Sequence, residues 1–177
     1  MIKHLASVLV MMLLSTHASK AENQTFSKLL TQVIDEIEGK DETARAITIN
    51  RIINRYKYID DHQLYRSRDY WAQPEEFLAN RGGDCEDFAI LKLTLLQLIG
   101  IDSTLVNFRK NGANHVAVVA IADKKLLLLD LENQESVLNK RSVKNYRFFR
   151  LKEASVHQNS AFNNTPQVYI KNGLPSL

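Results

Sequence analysis

Cysteine is almost missing from this sequence: Cys85 stands alone, so no intramolecular disulfide can form. One cysteine and five scattered histidines also lack the ligand spacing of a zinc site. Three prolines and six glycines leave no low-complexity tract, and no segment repeats. Charge of one sign is not in excess either. The formal net charge is +3, and setting aside Lys3 and Lys20 of the N-terminal segment brings it to +1, so nucleic acid is not an implied partner. Long apolar runs are lacking as well. The most apolar stretch, Leu5 to Leu14, is about half of the ~20 residues that a membrane-spanning helix requires, and no later segment is a candidate.

That short run has a different meaning. Lys3 and His4 precede it, and small residues with Ser19 and Ala21 spaced for a signal peptidase follow it, so residues 1–21 read as an export signal. Residues 22–177 then read as one domain, and a full chain with 45% hydrophobic residues supplies enough of them for a core. A thiol without a partner in an oxidising compartment points to reactivity.

Along the chain, Phe26, Leu29, Leu30, Val33, Ile34 and Ile37 recur at helical intervals, which predicts a helix over Thr25–Glu38 closed by Gly39. Asp41 caps a second helix that runs to the Tyr56–Tyr58 cluster. Asp60 to Asp69 reads as polar and irregular. Pro74, with Glu75 and Glu76 behind it, starts a third helix that Gly82–Gly83 ends, and an apolar helix follows over Phe88–Ile99. The period then changes. Ser103–Phe108, His115–Ala122 and Lys125–Leu131 read as antiparallel strands joined at Asn111–Gly112 and Asp123–Lys124, with another strand over Tyr146–Leu151 and a loosely packed tail from Ser155. Helices first and a meander afterwards make an α+β domain with N-terminal helices packed on an antiparallel sheet.

Chemistry concentrates at Gly82-Gly83-Asp84-Cys85-Glu86-Asp87, where a loop becomes a helix. With Asp84 as N-cap, Cys85 takes the first helical position, where free N–H groups and the positive end of the dipole favour a thiolate. The alternative is a small buried hydrophobe. A nucleophile needs a base and a group to orient it. His115 and Asp130 are the candidates: a two-residue turn at Asp123–Lys124 would place them on one face of adjacent strands, one diagonal apart. Each alone also suits a structural role at a strand end. Asp84, Glu86 and Asp87 crowd negative charge around the thiol and oppose the helix effect, which a bound hard cation such as calcium would offset; otherwise Asp84 and Asp87 only cap the helix.

The stretch Tyr70-Trp71-Ala72-Gln73-Pro74-Glu75-Glu76-Phe77-Leu78, leading into Arg81 to Ala89, resembles the bacterial transglutaminase-like cysteine proteinases, the LapG-type periplasmic proteases. The resemblance spans about residues 45 to 151, and the order Cys, His, Asp fits it. It implies a papain-like, transglutaminase-type fold in which Cys85 attacks a peptide carbonyl, His115 is base and then acid, and Asp130 orients the imidazole. It also implies calcium dependence with Asp84 and Glu86 as metal ligands. Members release large surface adhesins, often at an alanine pair, under restraint by an inner-membrane receptor for cyclic di-GMP, so biofilm control is the implied process. A transglutaminase-like acyltransferase or amidase on the same triad, and a non-catalytic periplasmic binding module, are the alternatives. The basic cluster of Lys140, Arg141, Lys144, Arg147, Arg150 and Lys152 reads as a solvated face.

Overall fold

The computed structural model describes residues 25–131, 135–139 and 141–149. The export segment, the tail from Ser155, and Lys140, Arg150 and Lys152 lie outside the described residues. Among the described residues, no helix is long and apolar enough to cross a membrane.

Helix α1 (residues 25–37) turns Leu29, Val33 and Ile37 inward, as their spacing predicts, and leaves Ile34 exposed. Helix α2 (Glu42–Ile53) starts at Asp41, whose carboxylate accepts from the Ala44 N–H at 2.7 Å, and buries Ala46, Ile49, Ile52 and Ile53. It ends short of the tyrosine cluster. Lys57–Tyr58 instead form strand β1, which pairs in parallel with Gly82–Gly83, strand β2. The glycine pair is therefore a pairing element rather than a helix terminator. A Cβ at Gly82 would strike the Lys57 backbone and one at Gly83 the Asp87 side chain, so close approach requires glycine at both positions. Arg81, in the left-handed conformation at φ 58°, ends the preceding helix α4 (Pro74–Asn80).

The Asp60–Asp69 stretch is not irregular throughout. Asp60 accepts from the His62 N–H at 2.9 Å and starts the short helix α3 (Asp61–Tyr65). Helix α5 (Cys85–Leu98) begins at the cysteine and is buried on nearly every side, as its mostly apolar sequence requires.

The second half is a five-stranded antiparallel sheet: β3 (Ser103–Lys110), β4 (Ala113–Ala122), β5 (Lys125–Leu129), β6 (Glu135–Leu138) and β7 (Arg147–Phe149), in the order β6-β5-β4-β3-β7. Strand β6 has no counterpart in the sequence reading. Both hairpin turns have two residues, with Lys110 facing Ala113 and Ala122 facing Lys125. Asn111, Gly112, Asp123 and Lys124 all take positive φ, the geometry that suits the right-handed twist of a hairpin.

Residues on one face of the sheet, including Leu105, Val118, Ala120, Leu127 and Leu129, close a core against α1, α2, α4 and α5. Each large apolar side chain buried there contributes roughly 1.5–3 kcal/mol. On the other face Val106, Ala117, Val119, Leu126 and Leu128 pack with Phe108, Tyr146 and Phe148. Strand β4 is thus covered on both faces, and only its first residues open to solvent, at the end that carries His115.

Candidate active site

Asp84 is the N-cap of α5 and Cys85 its first residue, the arrangement expected from sequence. The turn into the helix is held by Asp87, which accepts from the Asp84 N–H at 3.3 Å and from the Ala72 N–H at 2.7 Å. Cys85 is partly buried, and its thiol donates to Oε2 of Glu86 at 2.9 Å. Burial pushes the thiol well above its ordinary value, and the Glu86 and Asp84 charges add to this. The Val116 N–H pulls the other way without winning. This differs from the thiolate-favouring setting that the helix start alone implies, because desolvation and a carboxylate in contact outweigh the helix dipole.

His115 and Asp130 meet as the two-residue turn requires. Val118 faces Leu129, so one further step sets Ala117 against Asp130, and His115 Nε2 lies 2.5 Å from Asp130 Oδ1. The imidazole also stands edge-on to Phe108, with ring centroids 5.2 Å apart. Asp130 is 5% exposed, and almost every polar atom of the residue is engaged. Oδ1 also accepts from the Leu131 N–H at 2.7 Å, and Oδ2 from Lys110 Nζ at 2.8 Å. Its carbonyl accepts from Asn54 Nδ2 at 2.9 Å and from the buried Lys92 Nζ at 3.1 Å. Burial alone would raise the Asp130 carboxyl, yet the hydrogen bonds from His115 and Lys110 hold it at about 2.

Cys85 and His115 line one open cleft of about 440 Å³, together with Tyr58, Lys110, Asn114 and Leu131. Asp130 engages Nε2, which leaves Nδ1 as the imidazole nitrogen available to the cleft. A thiol at a helix start, a nearby imidazole and a carboxylate fixing that imidazole form the set of groups that nucleophilic acyl transfer uses.

Behind the thiol lies an acidic cluster larger than Asp84 and Glu86. Oxygens of Asp61, Asp69 and Glu86 approach within 4.8 Å of one another, as do those of Asp61, Asp84 and Asp87. Burial, then the neighbouring carboxylates, raise Asp84 to about 9, and burial is the main cause that brings Asp87 to about 7. Asp61 and Glu86 are also raised, chiefly by burial. Asp61 Oδ1 and Asp84 Oδ1 are buried without a hydrogen-bond partner. Mutually repelling carboxylates with orphaned buried oxygens fit a hard divalent cation, which would neutralise the first and satisfy the second. Asp61 and Asp69 escaped the sequence reading because they join the cluster only when the loop before α4 folds back onto α5. The Ala72 N–H, donating to Asp87 Oδ1 at 2.7 Å, ties that loop to α5, and the Trp71 indole N–H donates to Asp69 Oδ1 within it at 2.8 Å.

The helices packed on this sheet, with a cysteine opening the central helix and a histidine and aspartate on adjacent strands, define a transglutaminase-type cysteine proteinase fold. The chain belongs to the bacterial transglutaminase-like cysteine proteinase family, whose model matches residues 19–165. Among solved structures, calcium-bound LapG of Legionella pneumophila is 24% identical, with a TM-score of 0.56 over 74% of this chain and 81% of that one. The EGTA-treated form of the same protein gives the same identity and TM-score over 74% and 78%. A transglutaminase matches at 15% identity and a TM-score of 0.50, over 72% of this chain and 37% of its own. At these identities the structures show a shared fold. None of the curated proteins compared with the sequence matches it.

Proposed function

We propose that this cysteine proteinase is a calcium-dependent periplasmic endopeptidase, with Cys85 as nucleophile, His115 as general base and then acid, and Asp130 as the group that orients the imidazole. The observation that carries the reading is the 2.5 Å contact between His115 Nε2 and Asp130 Oδ1, on the cleft that Cys85 also lines. His115 Nδ1 takes the thiol proton as sulfur bonds to the scissile carbonyl carbon, and the N–H groups that α5 leaves unpaired at its start offer hydrogen bonds to the oxyanion. The imidazolium then protonates the leaving amine and a thioester remains. Water, giving its proton to His115, attacks the thioester and releases the acid, which restores the thiol.

Asp84, Glu86, Asp61, Asp69 and Asp87 supply the oxygens for calcium, which would cancel the negative charge that now opposes the thiolate. Calcium binding by LapG, named in its structure, agrees with this donor set. Residues 1–21 support export to the periplasm, with the mature chain starting at Glu22. A large surface adhesin is the proposed substrate, a cyclic di-GMP receptor of the inner membrane the proposed regulator, and biofilm control the process. Family membership supports these partners.

The test is incubation of surface proteins from the producing cells with wild-type protein and with Cys85→Ala, in calcium and in chelator. The reading expects one discrete cleavage, with a new N-terminus, from wild type in calcium alone. Equal cleavage by the alanine variant would end the covalent mechanism. Incorporation of an added amine in place of hydrolysis would make the protein a transamidase on the same triad.

A further inference from the structure

Three adjacent strands each bring one residue to the same end of the sheet. Lys110 is the last residue of β3, His115 lies near the start of β4, and Asp130 follows the last residue of β5. Because the Asn111–Gly112 turn has two residues and Phe108 faces His115, Lys110 falls on the same sheet face as Phe108 and His115. Its ammonium reaches Asp130 Oδ2 at 2.8 Å, while Oδ1 is held by His115 Nε2 at 2.5 Å and by the Leu131 N–H at 2.7 Å. The lysine side chain is 25% exposed and that of the aspartate 7%, so the pair is sheltered from the screening that weakens surface ion pairs. Both oxygens of one carboxylate thus have their own cationic or N–H partners, which hold the plane of the carboxylate.

We propose that Lys110 is a positioning residue of this site: by clamping Oδ2 of Asp130 it keeps Oδ1 aimed at His115, which selects the Nε2–H tautomer and leaves Nδ1 for Cys85. The inference rests on the proposed roles of Cys85, His115 and Asp130. A neutral imidazole carries one N–H, and a fixed, ionised acceptor at one nitrogen decides which. Without the clamp, the carboxylate can rotate about its Cβ–Cγ bond. The charged groups facing Asp130 are His115 from β4, Lys110 from β3 and Lys92 from α5, and Lys92 meets the backbone carbonyl rather than the carboxylate. Lys110 is therefore the fixed cation at the carboxylate itself, and it also lines the cleft.

The test uses Lys110→Met and Lys110→Arg, with thermal melts to establish that each is folded. In a Cys85→Ala background, ¹⁵N spectra of the His115 ring at about pH 8 report the tautomer. With Cys85 present, the rate of its alkylation by iodoacetamide in calcium reports the competence of the site. Wild type and Lys110→Arg are expected to show Nε2–H. Lys110→Met is expected to show a mixture and alkylation slower by about tenfold or more. Wild-type tautomer and alkylation rate in Lys110→Met would overturn the proposal. A wild-type Cys85 no more reactive than a free thiol would instead count against the proposed function, while the tautomer still decides the role of Lys110.

Discussion

At the residue scale, Asp130 organises the site and Lys92 bears a cost for supporting it. Lys92 is 1% exposed on α5, its ammonium donates to the Asp130 carbonyl, and burial lowers it from its ordinary range to about 7. Between about pH 7 and 10.5 the unfolded chain holds a proton that the folded chain does not, so this residue makes stability rise with pH across that window. Below it, folding carries the full cost of a buried charge. Lys92→Met keeps the side-chain volume, and Asn54 still holds the carbonyl at 2.9 Å. The variant is expected to gain about 1 kcal/mol or more at pH 6, and the gain should shrink toward pH 10.5, as urea unfolding at several pH values would show. A loss of equal size at every pH would mean that the ammonium contributes more through its hydrogen bond than its burial costs. Residues also differ in how legible they were. Cys85 stood out as a candidate from Gly82, Gly83 and Asp84 beside it, and the meeting of His115 with Asp130 was legible from strand parity. Strand parity places Lys110 as well, since the Asn111–Gly112 turn sets its face as firmly as Asp123–Lys124 sets that of Asp130. Lys92 gave no sign, because a lysine in an apolar helix reads as a solvent-facing position until the helix is seen to be covered.

At the element scale, the segments with strong periodicity or strong turn residues formed as read. Helix α1 ends beside Gly39 at φ 72°, α5 ends beside Gly100 at φ 82°, and both two-residue hairpins have the expected register. The differences have a common cause, which is pairing between distant segments. Lys57–Tyr58 leave the helix of α2 because Gly82–Gly83 offer them a parallel partner, and that pairing aligns Tyr58 with Gly83, two residues before Cys85. A sequence read locally shows neither partner. The same holds for β6, whose Glu135–Leu138 become a strand by lying along Leu126–Leu129. Helix α3 was concealed by its polarity: it buries Asp61, and its purpose is to carry that carboxylate into the acidic cluster rather than to add an apolar face to the core.

At the scale of the whole molecule, the fold carries a charge imbalance that its apolar core must tolerate. With Asp84 raised to about 9 and Asp87 to about 7 by burial and their neighbours, these carboxyls hold protons in the folded chain that they lose in the unfolded chain, both from about pH 4 to about pH 7 and Asp84 on to about pH 9, where Lys92 acts in the opposite direction. Stability of the metal-free protein is therefore expected to fall as pH rises from about 4 to about 7, above which Lys92 and Asp84 offset each other. Calcium, if it binds the assembled carboxylates and not the unfolded chain as proposed, should add most where they are ionised, at the upper end. Thermal unfolding between pH 5 and 9 in calcium and in EGTA checks this. Midpoints that coincide at every pH would remove the metal from the account.

The central claim is that Cys85 is a nucleophile whose activation depends on the cluster behind it. The most direct test is the rate of Cys85 alkylation by iodoacetamide against pH, on the chain starting at Glu22, in calcium and then in EGTA. In EGTA, burial and the Glu86 carboxylate should keep the thiol above its ordinary range and alkylation slow. In calcium the reactive form should appear at lower pH and the rate should rise, and His115→Ala should abolish that gain. A thiol that stays slow in calcium, with the same pH dependence in both conditions, would contradict the account.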